Sequence, residues 1–342
     1  MSLTPAPRTL VRGAFGDLVF ASFGYVVAIF AFSSTYSAPS LTSTQFSQQY
    51  WHGVYASRIV GRELTVLVYN VLSGLGSPNP LLRLAPPWSH GENYFSAVVI
   101  VNYVGLAVFT ILIGLWLRKS TLLEVQVSHL MMGAIALVTA SLYVVTPYDT
   151  LSFAFMVATL LLAFRGGRWQ ALALPFVVLG CLTRESEFLA IALIVAVTVW
   201  RPSRVSRTLA LWVAAVSALT YVTVHLAYRA QGGLLEHGLT WYVAKNLHGE
   251  AQSYTGLIVA ALAIGVWLVM YRRSGLASMP NQSDVKRIRL TFLALASPYI
   301  LIVVDSGRWY ESLRLLIPVL LADLFIPTSG IDKELPLSEG VA

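Results

Sequence analysis

NYFSAVVIVNYVGLAVFTILIGLW, residues 93–116, decides the fold class. It contains no Asp, Glu, Lys or Arg, and a helix needs about 20 apolar residues to cross a bilayer. Strand-like alternation is absent, so backbone groups in lipid must be satisfied within a helix. Working outward, comparable apolar runs recur at 16–34, 128–146, 150–164, 169–182, 187–200, 208–228, 254–271, 290–304 and 312–327. The chain therefore reads as all-α, a polytopic integral membrane protein of about ten transmembrane helices forming one domain over 1–342. The run at 65–76 is too short to cross; with 50–64 it reads as helical structure packed in the first external loop. The runs at 150–164, 169–182 and 187–200 are also short, with turns of a few residues between them, and predict tight helical hairpins.

Composition agrees. The chain is 56% hydrophobic and 11% charged, against about 25% charged in an average soluble domain. No soluble domain of useful size remains outside the apolar runs, and the single cysteine, Cys181, excludes an internal disulfide. Arg8 and Arg12 precede the first apolar run in the manner of a signal peptide, with a loose cleavage-like Thr35–Tyr36–Ser37–Ala38; Asp17 and the many later spans favour a retained signal-anchor helix. With the N-terminus inside, 15 of the 23 basic residues fall in internal segments: Arg8, Arg12, Arg118, Lys119, Arg165, Arg168, Arg201, Arg204, Arg207, Arg272, Arg273, Lys286, Arg287, Arg289 and Lys333. Every short internal loop is basic, as the positive-inside rule requires. The net charge of +7 belongs mostly to those loops and gives no reason to expect a nucleic-acid partner. The 273–289 segment reads as a basic, lipid-facing linker. Two long loops, 35–92 (with juxtamembrane helices) and 229–253, are external. No internal repeat of the kind many transporters carry is visible.

The external ends of the spans gather acids and arginines in four clusters: Arg58–Arg62–Glu63, Tyr148–Asp149, Arg184–Glu185–Glu187 and Asp305–Arg308–Glu311–Arg314. Charge at a membrane boundary is costly and tends to mark a site. Tyr55, Arg58 and Arg62, at i, i+3 and i+7, fall on one face if the segment is helical. Their guanidinium groups suit a phosphate, with Glu63 as a base; the competing reading is an interfacial helix touching lipid phosphates. Asp149 reads as a second carboxylate for base work, or, with Thr150, as a helix N-cap. Arg184 reads as an anion binder oriented by Glu185 or Glu187, or as a structural pair, with Thr183 capping the next helix. Arg308, Glu311 and Arg314 form a stripe at the start of the last span, and Arg314 must face a polar cavity, a lipid head group or an acid.

The six histidines are scattered and make no HxxH or HExxH spacing, so no metal site is assigned. A divalent cation held by Asp149 and Glu185 is the remaining cation reading, and no other cofactor is expected. No Gly-rich phosphate loop, nucleophile elbow or CxxC occurs.

The Tyr55–x–x–Arg58–Ile59 run, the Pro147–Tyr148–Asp149 turn, the Thr183–Arg184–Glu185 turn and the Glu311–x–x–Arg314 stripe with Pro318 together resemble small bacterial multi-pass members of the GT-C glycosyltransferase superfamily, across about 16–327. The resemblance implies transfer of a sugar from a polyprenyl-phosphate donor on the extracytoplasmic face of the bacterial cytoplasmic membrane, in cell-envelope assembly. It implies catalytic roles for Glu63 or Asp149. The phosphate site would be Arg58, Arg62, Arg184, Arg308 and Arg314, with Glu185 and Glu311 beside them. One departure stands out: the superfamily places an acid early in the first external loop, whereas residues 35–62 hold no Asp or Glu. Other readings are a non-catalytic flippase, scramblase or accessory subunit for lipid-linked glycans, a structural subunit working with other membrane proteins, and a small-molecule transporter.

Overall fold

The computed structural model describes residues 7–30, 37–52, 55–76, 94–119, 124–142, 144–228, 244, 255–273, 282–303 and 309–328. Every element among them is helical: α1 Pro7–Ala28, α2 Ile59–Gly74, α3 Phe95–Lys119, α4 Glu124–Ser141, α5 Asp149–Arg165, α6 Ala173–Cys181, α7 Glu187–Trp200, α8 Arg207–Ala227, α9 Thr255–Arg273, α10 Gln282–Val303 and α11 Trp309–Thr328. Short helical turns at Ala38–Leu41, Ser43–Phe46 and Ser47–Trp51 precede α2. The loop 229–253, apart from residue 244, and the second half of loop 35–92 lie outside the described residues.

Among the described residues, two helices are long and apolar enough to cross a membrane, Phe95–Arg118 and Arg207–Ala227. Four shorter apolar helices accompany them, Gly13–Ala28, Val125–Ser141, Glu187–Trp200 and Leu316–Ile326. The run at 169–182 is helical but not α-helical throughout. Gly166 and Gly167 take φ of 80° and 58°, a left-handed conformation that glycine adopts without a Cβ penalty, and end α5. A 3-10 helix over Gly167–Leu172 follows and runs directly into α6. Pro175 falls in the first turn of α6, where a missing N–H removes no helical hydrogen bond.

α5 lies at the centre, packed on α3, α6 and α7 and touching α11; α3 also packs on α1, α2 and α4, while α7 meets α8, α10 and α11. Phe153, Met156, Val157 and Leu160 of α5 are fully buried, the i, i+3, i+4, i+7 spacing of a helix face turned to a core. Outward faces are apolar too: Leu211, Trp212, Leu219, Val222 and Leu226 of α8 and Phe15 and Phe23 of α1 are exposed. Contiguous exposed apolar surface of this kind marks contact with a membrane or a partner.

Ion pairs tie the helix ends where the basic loops begin. Arg118 of α3 pairs with Asp17 of α1 at 2.5 Å, and Arg289 of α10 pairs with Asp323 of α11 at 2.6 Å. At the other end, two glycines bring backbones together. A Cβ on Gly61 would come within 2.5 Å of the Pro147 carbonyl oxygen, and one on Gly105 within 2.6 Å of Thr150 Oγ1. α2 and α3 therefore press directly against the 147–150 turn.

Candidate functional site

The 146–150 turn is held by Asn102, a buried amide on the mostly apolar α3. Its Nδ2 donates to the Thr146 carbonyl at 2.7 Å, its Oδ1 accepts from the Thr150 N–H at 3.2 Å, and its own carbonyl accepts from Thr150 Oγ1 at 2.7 Å. A polar side chain inside a helix bundle needs such partners to be tolerated. The turn presents Asp149 as the first residue of α5, with Tyr148 as the N-cap. The helix therefore begins at Asp149, but its N-cap is Tyr148 and not Asp149 or Thr150. The Asp149 carboxylate lies at the positive end of the α5 dipole. Its Oδ2 accepts from the Thr146 N–H at 3.3 Å and its Oδ1 from Arg184 Nη1 at 3.0 Å. Asp149 is 0% exposed and Arg184 4%.

Arg58 does not share a helical face with Tyr55 and Arg62, contrary to the spacing. Its φ and ψ of −88° and 69° place it ahead of α2 as the N-cap. That break sends the two arginines apart. Arg58 grips Glu185 with two donors, Nη2 to Oε2 at 2.9 Å and Nε to Oε1 at 3.3 Å, the fork geometry that suits carboxylate. Its guanidinium carbon lies 4.2 Å from the Tyr148 ring centre and 4.7 Å from that of Tyr55, and that of Arg184 is 5.8 Å from the Tyr148 ring. Tyr148 therefore contacts both arginines, and burial pushes its phenol well above the usual range. Arg62 instead donates to the Tyr50 and Ala56 carbonyls at 3.1 and 3.2 Å and to Glu63 at 2.8 Å, with the Trp51 ring 4.1 Å away. The Glu63 side chain is 49% exposed. The Val60 N–H bonds to the Leu182 carbonyl at 3.2 Å and fixes α2 to the end of α6.

In the third cluster, Thr183 Oγ1 donates to the Leu179 carbonyl at 2.6 Å. It therefore completes α6, and the cap expected from it on α7 is taken by Ser186 without a side-chain bond. Glu187 turns away from the arginines into the bundle: its Oε1 accepts from Thr159 Oγ1 at 2.7 Å, and the missing side chain of Gly180 makes room for Oε2. Asp305 and Arg308 of the fourth cluster lie outside the described residues. Glu311 and Arg314 fall on α11, and their side chains are also outside the description.

Arg58, Asp149, Arg184 and Glu185 thus come together around Tyr148 from three distant segments, while Arg62 and Glu63 pair with each other on α2. Asn102 and Thr159 were not singled out in the sequence; a lone Asn inside the longest apolar run was the signal for the first. Among the described residues, no group of three or more His, Cys, Asp or Glu is placed to hold a metal ion. Asp149 and Glu185, the pair considered for a cation, each face a guanidinium.

Burial raises the Glu185 pKa, but Arg58, a backbone hydrogen bond and Arg184 outweigh it and hold the carboxyl below its usual range. A lowered folded-state value adds stability above the unfolded pKa, about 4.3, and that stability is lost as pH falls through the folded value. The unfolding temperature of Glu185→Gln should therefore lie below wild type at neutral pH, and the gap should close as pH is lowered past about 4. A gap independent of pH would show that the pair does not contribute through its charge.

No family model, curated protein or solved structure compared with this chain matches it.

Proposed function

We propose that the chain is a polytopic membrane protein of about ten spans and a GT-C-type glycosyltransferase. It moves a sugar from a polyprenyl-phosphate donor to an extracytoplasmic acceptor at a bacterial cytoplasmic membrane, with its N-terminus cytoplasmic. The observation that carries this reading is the convergence of Arg58 and Arg184 on Tyr148, with the half-exposed carboxylate of Glu63 on α2, the helix that Arg58 caps. Paired guanidinium groups suit a lipid phosphate, and an accessible carboxylate suits deprotonation of a hydroxyl.

The burial pattern divides the two candidate carboxylates. Asp149 is enclosed and committed to Arg184, so it positions that arginine. Glu63 is reachable and takes the acceptor proton. As that proton leaves, the acceptor oxygen bonds to the anomeric carbon from the face opposite the phosphate. The bond from that carbon to the phosphate oxygen breaks, and the lipid phosphate departs with the electron pair. Arg58, Arg184 and, from the last span, Arg308 and Arg314 stabilise the charge on it; one such donor is worth about 3 kcal/mol in the transition state. No metal or other cofactor has a part in this scheme.

A second reading is favoured by one observation. Arg58, Arg62 and Arg184 are each already engaged by a carboxylate: Glu185, Glu63 and Asp149. In that reading the cluster is architecture, and the chain is a non-catalytic handler of lipid-linked glycans or a structural subunit of a membrane complex.

Binding of a polyprenyl phosphate to the purified protein, wild type against Arg58→Gln and Arg314→Gln, separates the two. The transferase reading expects affinity to fall about tenfold in each variant, the worth of one charge-assisted hydrogen bond. No binding, or binding indifferent to both changes, leaves the ion pairs as structural.

A further inference from the structure

A groove of about 450 Å³ runs between α3, α5 and α6, a size typical of ligand pockets. Its walls include Val104 and Val108 from α3, Leu151 and Ala158 from α5, and Leu172 and Phe176 before and within α6. Among its lining residues, Arg165 is the single charged one. We infer that this groove holds one acyl chain of an anionic phospholipid, with the lipid phosphate at Arg165.

The first argument is shape. The lining extends along α5 from Leu151 to Arg165, about 21 Å at 1.5 Å per residue. One leaflet of hydrocarbon is roughly 15 Å deep, half of the full core, so the groove is long enough for a whole chain from one leaflet. At its Leu151 end, Gly105 lets α3 and α5 touch, and Asn102 binds Thr150 across the contact. The two helices are therefore drawn together at one end of the groove. At the other end stand Arg165 and its turn.

The second argument is charge. The Arg165 guanidinium carbon lies 4.3 Å from the Trp169 ring centre, and that of Arg168 lies 5.6 Å from the same ring. Both arginines are exposed, and among the described residues neither forms an ion pair with a carboxylate. An indole with two guanidinium groups near its ring, at the end of an apolar slot, matches a phospholipid: phosphate on the cations, glycerol region against the tryptophan, chain in the slot. Tryptophan favours that interfacial depth, and basic pockets between helices on the cytoplasmic side hold anionic head groups. At the Leu151 end, by contrast, Arg58 and Arg184 are occupied by Glu185 and Asp149, which places the head group at Arg165. The inference rests on the membrane-spanning reading and not on sugar transfer.

The test is lipid titration of the delipidated, purified full chain, read by native mass spectrometry, with phosphatidylglycerol and phosphatidylcholine as the probes. One phosphatidylglycerol per chain should be retained in preference to phosphatidylcholine. Arg165→Ala and Arg168→Ala should each weaken that retention roughly fivefold, the effect of one charge at a lipid surface. Val108→Trp, on the exposed lip of the groove, should remove it while leaving the unfolding temperature unchanged. Equal retention of the two lipids, or retention unaffected by Val108→Trp, overturns the proposal. So does displacement of phosphatidylglycerol from the groove by a polyprenyl phosphate that Val108→Trp also blocks. None of these readouts depends on glycosyl transfer, so failure here and failure of the proposed function are distinguishable.

Discussion

Arg184→Ala is expected to destabilise the protein by about 3 kcal/mol or more, the cost of removing one partner from a buried ion pair. Asp149 is fully enclosed and its Oδ1 faces the guanidinium at 3.0 Å. Alanine would leave that carboxylate with the Thr146 N–H among its remaining hydrogen bonds and no compensating charge from Arg184. The comparison that isolates this effect is Glu63→Gln. The Arg62–Glu63 pair involves a half-exposed carboxylate, and such pairs contribute only about 0–1 kcal/mol. A double variant, Asp149→Asn with Arg184→Gln, removes both charges and should recover most of the loss, because a neutral pair avoids the cost of a stranded ion. Thermal unfolding of the purified protein in one detergent measures all three. If Arg184→Ala unfolds no earlier than Glu63→Gln, the enclosed pair is not what holds α5 to the α6–α7 turn.

The helices themselves were legible because long apolar runs tolerate little else: 150–164 appears as α5, 187–200 as α7 and 208–228 as α8, each within a residue or so at either end. The run at 169–182 is helical throughout, but it winds as a 3-10 helix up to Leu172 and as α6 only from Ala173. The turn that separates it from α5 depends on Gly166 and Gly167 adopting positive φ, which hydrophobicity does not report. Arg58, Asp149, Arg184 and Glu185, which do meet, were also visible, since acids and arginines stand out against apolar sequence. Their pairing was not. Arg58 and Glu185 are 127 residues apart, and their meeting depends on α2 lying against the 147–150 turn, a contact that Gly61 permits. The i, i+3, i+7 spacing of Tyr55, Arg58 and Arg62 suggested one helical face. The backbone breaks at Arg58 instead, and each arginine found carbonyls or a carboxylate in a different direction. Periodicity describes a helix once it exists; where the helix starts was decided by tertiary contact.

Glu63→Gln is expected to reduce sugar transfer by roughly 10²–10⁴-fold, the usual contribution of a general base, while the fold stays intact. The expectation follows from exposure. Glu63 shows 49% of its side chain to the surroundings, whereas Asp149 shows none, and a base must reach the proton that it removes. Asp149→Asn should also lower transfer, but by a different route: it releases Arg184, so donor binding weakens together with turnover. Glu63→Gln should leave polyprenyl-phosphate affinity nearly unchanged, because Arg62 keeps its bonds to the Tyr50 and Ala56 carbonyls. The informative measurement is therefore a pair, donor affinity and turnover, on each variant. Turnover lost with affinity kept, in Glu63→Gln alone, assigns the base. Equal effects of the two variants on both quantities would place Glu63 in the same structural network as Asp149. Turnover absent from the wild type, with lipid binding retained, would move the protein to the non-catalytic class, whose carboxylates serve only to hold arginines.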